Sequence, residues 1–268
     1  GLRNDGERTM IGVIGGSGVY EIDGVVIREE KRISTPFGEP SDSYRIGEIS
    51  GVEVAFLPRH GSPHHIAPHK INYRANIWGF RELGAERIIS VNAVGGINPR
   101  FKPGDIVILN QIIDMTEGRA STFYDEEEIV HVDFTEPYCP ELRAALLTAG
   151  RNAGVALKEN AAYICVNGPR LETAAEIKAF SLLGADVVGM TGMPEASLAR
   201  ELAICFSGIG VVTNYAAGIS GNRLTTTEVV KTMAESAEVV KTLLERTFVN
   251  IPHTRNCMCK DALANAKM

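Results

Sequence analysis

Short apolar runs of strand length alternate with helical patterns along most of this chain, and few folds accommodate that order. "MIGVIGG" (10–16) reads as a buried strand ending in glycines. "VVIREEKRI" and "SYRIGEI" alternate apolar and polar residues, as strands with one wet face do. "VEVAFLPRH" (52–60) is a strand stopped at Pro58-Arg59-His60, and from Asn72 to Leu83 the apolar residues recur at helical spacing. "RIISVNAVGG" (87–96) is a buried strand that breaks into a Gly-Gly turn, and "GDIVILNQII" adds another strand. "PELRAALLTAGRNAG" is a helix with Pro140 near its start and Gly154 just past its end. The second half repeats the pattern: strand "YICVNG", helix 172–183, strand "ADVVGMT", helix 194–202 and strand "AICFSGIGVVTN". The longest helix is expected over 228–247, with Val229, Val230, Met233, Ala237, Val240, Leu243 and Leu244 on one stripe. Nearly continuous apolar strands separated by helices imply a single α/β domain, its mixed, largely parallel central sheet flanked by helices on both faces.

Composition narrows the class of function. A chain of 268 residues can bury a large core without a metal or disulfide staple. The net charge of −6 comes with no basic stripe, so a nucleic-acid partner is not expected. No apolar run reaches the roughly 18–20 residues of a membrane span, so no membrane partner is expected either. The first nine residues lack a signal's charged-then-apolar order and read as a leader or expression remnant. The domain then runs over 10–250, followed by a tail (251–268) that carries a Cys-x-Cys pair. Five cysteines (Cys139, Cys165, Cys205, Cys257, Cys259) are too few and scattered for a secreted disulfide framework, so a soluble cytoplasmic protein is expected. The tail pair in "CMCK" is half of a metal site with no neighbouring ligands in sequence. No metal is therefore expected, and two exposed thiols in a mobile tail suggest a redox or disulfide element.

Ligands of an open α/β sheet bind beyond the carboxyl ends of strands. Those ends here are Gly15-Gly16-Ser17-Gly18, Arg59-His60, Asn92-Ala93, Met190-Thr191 and Asn214. Ser17 lies in a glycine loop whose backbone N–H groups can approach an anion. The dinucleotide spacing G-x-G-x-x-G fails, because the last position is Glu21. Arg59 offers a planar fork for phosphate and His60 a donor beside it. Asn92-Ala93 would present amides left open by the Gly-Gly turn, and Thr191 a hydroxyl. Together they suit one phosphate dianion with no metal, since no carboxylate cluster is present to hold one. Asn214, placed where a buried strand should end, either starts a turn or faces a ligand that matches an amide.

The motifs "GVIGGSG", "TPFGEPSD", "PRHG", "NYRANIW", "VNAVGGINP", "GDIVI", "FYD", "EPYCP", "GPRLET", "GADVVGMTGMPEASLARE" and "VVTNYAAG" occur in this order. Over roughly residues 10–250 the chain resembles the purine nucleoside phosphorylase/methylthioadenosine phosphorylase family. The resemblance implies phosphorolysis: inorganic phosphate as co-substrate, no cofactor, and a free purine and pentose 1-phosphate as products. Carried over by position, it implies phosphate contacts at Ser17, Arg59, His60, Asn92, Ala93 and Thr191. Met190 is implied to hold the ribose. Asn214 and Glu172 are implied to read the base, with Leu171 and Ala216 beside them and Thr226 near the sugar's 5′ group. Asn214 and His60 are the implied catalytic pair.

The methylthioadenosine branch of that family carries roughly Asp-x-Asp where this chain has Asn214 and Ala216. An amide paired with Glu172 suits hypoxanthine or guanine instead, because the NH2 donates to O6 or N7 and the carboxylate accepts from N1–H. A 6-oxopurine nucleoside is the implied substrate. 5′-Methylthioinosine is the alternative, because Thr226 is neither the His of one branch nor the apolar residue of the other and "TPFGEPSD" and "NYRANIW" lean to the methylthio side. Methylthioadenosine, and a silent nucleoside-binding protein, are further readings. By analogy the chain is implied to form a homotrimer or dimer of trimers, with an internal Cys139–Cys205 pairing as in thermostable relatives.

Overall fold

A computed structural model describes residues 10–16, 25–126 and 128–268. The described residues form nine strands and five helices: β1 (Met10–Gly15), β2 (Val26–Lys31), β3 (Tyr44–Ile49), β4 (Val52–Pro58), α1 (Tyr73–Glu82), β5 (Ala85–Gly96), β6 (Ile106–Met115), α2 (Pro140–Ala153), β7 (Leu157–Val166), α3 (Ala174–Leu182), β8 (Val187–Gly189), α4 (Gly192–Glu201), β9 (Cys205–Tyr215) and α5 (Thr226–Phe248). The expected alternation is present, and every helix begins within two residues of its anticipated start. Among the described residues no helix is long and apolar enough to cross a membrane.

All nine strands join one sheet in the order β2-β3-β4-β1-β5-β8-β7-β6-β9, and β5 also pairs with β9. That extra pairing closes β5, β8, β7, β6 and β9 into a ring, from which β1, β4, β3 and β2 extend as an open wing. β1, β4, β5 and β9 run parallel, while β8 and β6 meet β5 and β9 antiparallel. The register aligns Gly15 with both Pro58 and Val91, Asn92 with Gly210, and Gly95 with Asn214. The ends of β1 and β4 therefore fall level with the middle of β5. β8, running the opposite way, pairs Val188 with Gly95, so its exit at Met190-Thr191 heads back toward Asn92.

Apolar residues from both sheet faces form the core. Ile14, Leu57, Phe80, Ile88, Tyr163 and Leu198 lie in one cluster, and Val13, Phe56, Ile89, Ile209, Leu243 and Leu244 in another. Gly12 lets α1 approach β1, since a Cβ there would sit 2.7 Å from Phe80. The two clusters cover opposite sheet faces because strand side chains alternate.

Four local expectations need correction. The glycines of "VNAVGG" are not a turn: Gly95 and Gly96 stay in β5 and pair with both β8 and β9. β2 has no dry face, because it is an edge strand exposed along its whole length. On α5 the stripe holds at Val240, Leu243 and Leu244, with Met233 packed on the same cluster, but Val230 is 67% exposed. The tail thiols are not exposed: Cys257 and Cys259 are buried against Cys139 and Cys205, ligand-bearing neighbours that are distant in sequence. All five cysteines are free thiols, including the Cys139 and Cys205 implied to pair.

Candidate active site

β5 is buried at every position from Arg87 to Gly96 except one, Ala93, which is exposed in the middle of the strand. By register, Ala93 lies where the exits of β1, β4 and β8 converge. Asn92, one residue earlier, is buried; its Nδ2 donates to the Ile209 carbonyl at 3.2 Å. Its Oδ1 accepts from the Thr191 hydroxyl at 3.4 Å and from Ser90 at 3.2 Å. Thr191 caps the start of α4, and the Tyr163 hydroxyl accepts from the backbone N–H groups of Thr191 and Gly192 at 3.1 and 3.2 Å. Gly192 is glycine by necessity of packing, since a Cβ would lie 2.2 Å from the Tyr163 ring.

Arg59 is placed at this site, but not as an open fork. Its guanidinium is buried and bidentate to Glu195, with Nε–Oε1 at 2.6 Å and Nη2–Oε2 at 2.9 Å. It also donates to the Val91 carbonyl at 2.9 Å and the Ser90 hydroxyl at 2.8 Å. The expectation that the Arg59 fork faces an anion is thus corrected. A buried arginine in a low-dielectric interior requires a carboxylate, and Glu195 supplies it. Glu195 went unrecognised although a signal exists: it shares a helix face with Leu198 and Ala199, both buried.

His60 is half-buried, and its Nδ1 lies 2.8 Å from the Ile66 carbonyl. That bond puts the proton on Nδ1 and leaves Nε2 as an acceptor. Burial, aided by the charges of Arg59 and His64, pushes its pKa down to about 4 against the Ile66 bond. The imidazole is neutral near pH 7, so the expected donor is an acceptor there. Its Cδ2 edge faces Gly16, and His64 stacks on the ring at 4.1 Å. Ser17 lies outside the described residues.

The remaining candidates lie at the exits of β8 and β9 and on the loop before α3. Met190 leaves β8 half-buried and packs on Gly168, whose φ of +63° and lack of a Cβ (it would be 2.4 Å from the Met190 sulfur) both require glycine. Gly168 opens the loop to Leu171 and Glu172. Leu171 is 45% exposed, whereas Glu172 is half-buried. Burial raises the Glu172 pKa, against a hydrogen bond from its own backbone N–H. Neighbouring groups leave this carboxylate out of their pairings: Thr173 and Glu176 form a capping box at α3, and Arg170 is bidentate to Glu176.

Asn214 stands at the end of β9 opposite Gly95, where its Nδ2 would lie 3.5 Å from a Cβ added to that glycine. Thr213 donates its hydroxyl to Asn214 Oδ1 at 2.8 Å, and Nδ2 donates to the Tyr215 carbonyl at 2.8 Å. These two bonds fix which way round the amide sits, and they use only one of the two N–H groups of its NH2. The α3 start and the β9 exit touch, because a Cβ on Gly218 would lie 2.7 Å from Ala174. Glu172 and Asn214 are thereby carried on adjoining loops. Two implied contacts are not supported by position. Ala216 is buried in the cluster of Ile97, Ile177 and Val188, and its N–H donates to the Gly96 carbonyl. Thr226 is exposed on the first turn of α5, and among the described residues no hydrogen bond ties it to the other candidates.

Residues 10–248 match the model of the phosphorylase superfamily. A probable S-methyl-5′-thioinosine phosphorylase of Thermodesulfovibrio yellowstonii is 54% identical over 97% of this chain and 98% of its own. A 6-oxopurine nucleoside phosphorylase of Pyrococcus furiosus is 54% identical over 96% of this chain and 98% of its own. Among solved structures, a methylthioadenosine phosphorylase from an antarctic soil metagenomic library superposes with a TM-score of 0.92 at 35% identity, covering 98% of this chain and 93% of that one.

Proposed function

The chain belongs to the phosphorylase superfamily and is an enzyme of purine nucleoside phosphorolysis, and on that premise we propose that its base is a 6-oxopurine. It releases hypoxanthine or guanine and forms ribose 1-phosphate, as a step of purine salvage in the cytoplasm. The observation that carries this reading is the fixed amide of Asn214. Thr213 donates to its oxygen and so fixes the amide's orientation, and its second N–H matches O6 or N7 and not a 6-amino group. Glu172, half-buried on the adjoining loop, supplies the acceptor for N1–H.

In this reading inorganic phosphate is the co-substrate, with no cofactor or metal in the step. It lies at the exposed Ala93, where the Thr191 hydroxyl rotates from Asn92 to donate to it and His60 Nε2 accepts from its protonated oxygen. The glycosidic bond lengthens first, leaving positive charge on the sugar that the phosphate beneath it stabilises and then captures. Negative charge gathers on the departing purine, and the Asn214 N–H stabilises it. Arg59 acts as a positioning residue, bracing Val91 and Ser90 under Asn92. Met190 lies against the ribose. By analogy with the family, the chain assembles as a homotrimer or dimer of trimers.

The sugar's 5′ group has a second reading, S-methyl-5′-thioinosine, favoured by the match to the Thermodesulfovibrio relative. The test is a panel of inosine, guanosine, methylthioinosine, adenosine and methylthioadenosine, each with and without phosphate. Base release is expected from the oxopurines and only with phosphate. Release without phosphate, preference for the aminopurines, or saturable inosine binding without turnover would overturn the proposal.

A further inference from the structure

The four thiols at the far end of the molecule have no part in that chemistry. Cys139 caps α2, Cys205 opens β9, and Cys257 and Cys259 flank the exposed Met258 at the start of a single 3-10 turn. All four are buried, and their sulfurs lie within 4.8 Å of one another. From Cys205 to Asn214 is nine residues of strand, about 30 Å at roughly 3.3 Å per residue.

We propose that Cys139, Cys205, Cys257 and Cys259 are the ligands of one structural zinc(II) ion, which fastens the C-terminal segment to the amino-terminal ends of α2 and β9. Tetrahedral zinc thiolate needs four sulfurs at about 2.3 Å, hence about 3.8 Å from each other, and closed structural sites use four such ligands. The sulfurs already stand near that spacing; Cys205 and Cys257, at 3.3 Å, need only move slightly apart. The thiols form one mutual group and not two separate pairs, since every sulfur lies within 4.8 Å of the other three.

The surroundings are those of a prepared site. Apolar Leu142 and the half-buried Ile251 pack around the four sulfurs and keep water from them. The tail is positioned independently of the sulfurs. Arg87 donates to the Pro252 carbonyl at 2.7 Å, Arg255 to the Ala203 carbonyl at 2.7 Å, and the Asn256 N–H to Glu141 at 3.0 Å. On binding, each thiol gives its proton to solvent and its sulfur lone pair to zinc, with no change of oxidation state.

The experiment measures zinc per chain by mass spectrometry in protein isolated under reducing conditions and equilibrated with zinc(II). About one ion per chain is expected in the wild type and less than about a tenth in Cys257→Ser/Cys259→Ser. Cobalt(II) in place of zinc should give the visible bands of a tetrahedral tetrathiolate, weakened in Cys139→Ser, a variant that leaves the tail intact. Zinc should raise the melting temperature of the wild type by several degrees and not that of the double variant. Inosine phosphorolysis at moderate temperature should be the same in both. Absence of stoichiometric zinc in the reduced wild type, zinc retained by the double variant, or Cys139–Cys205 and Cys257–Cys259 disulfides in freshly isolated protein would overturn the proposal.

Discussion

In the proposed reading one amide decides which purine is accepted, because its two ends are chemically opposite and Thr213 fixes which way round it sits. Thr213 holds the oxygen of Asn214, so Asn214→Asp replaces the presented N–H with an acceptor. We expect the inosine-to-adenosine ratio of kcat/KM to fall by at least about tenfold, the scale of one mismatched hydrogen bond. An unchanged ratio would remove Asn214 from base reading. Arg59 is a different case. Removing it leaves Glu195 buried and unpaired, which costs about 3–5 kcal/mol. Arg59→Ala should therefore appear chiefly as a lowered denaturation midpoint; a variant of full stability that had lost only phosphate affinity would refute the positioning role. Asn214, His60, Asn92 and Thr191 were legible because strand ends in α/β sheets are where ligands bind. Glu195 was not, because a helical glutamate usually faces water and its burial depends on the Arg59 opposite.

At the scale of elements, the capping box of α3 sets the loop that presents Glu172. Thr173→Ala removes the cap, at a cost of about 1 kcal/mol. The expected signature is a higher KM for inosine with kcat little changed, because the loop and not the reacting centre is loosened; an unchanged KM would separate Glu172 from the substrate. The box also has an acid limit. Arg170 and the Thr173 N–H hold the Glu176 pKa down to about 2, so its contribution is complete above pH 4.5 and lost as pH falls through about 2. Helix positions were readable from spacing and caps. The reach of β5 was not, since Gly-Gly after an apolar run signals a turn, and only pairing on both sides keeps it extended.

For the whole molecule, acid stability should follow His60. Its pKa is about 4 in the folded chain and 6.5 when exposed, so between those values the unfolded state binds a proton that the folded state excludes. Stability is thus full above about pH 6.5 and declines toward pH 4. Denaturant titrations across that window should show the decline, and His60→Asn should flatten it; an equally steep decline in that variant would assign it elsewhere. What the sequence by itself determined was the α/β class, the helix positions and the family. Those follow from periodicity, caps and motif order, which are local along the chain. Only the tertiary structure decided that β5 closes a ring with β9, that Arg59 is bound to Glu195, and that Cys139 and Cys205 meet the tail pair. Each of these joins residues dozens of positions apart, and which distant groups come to share a buried space is set by packing.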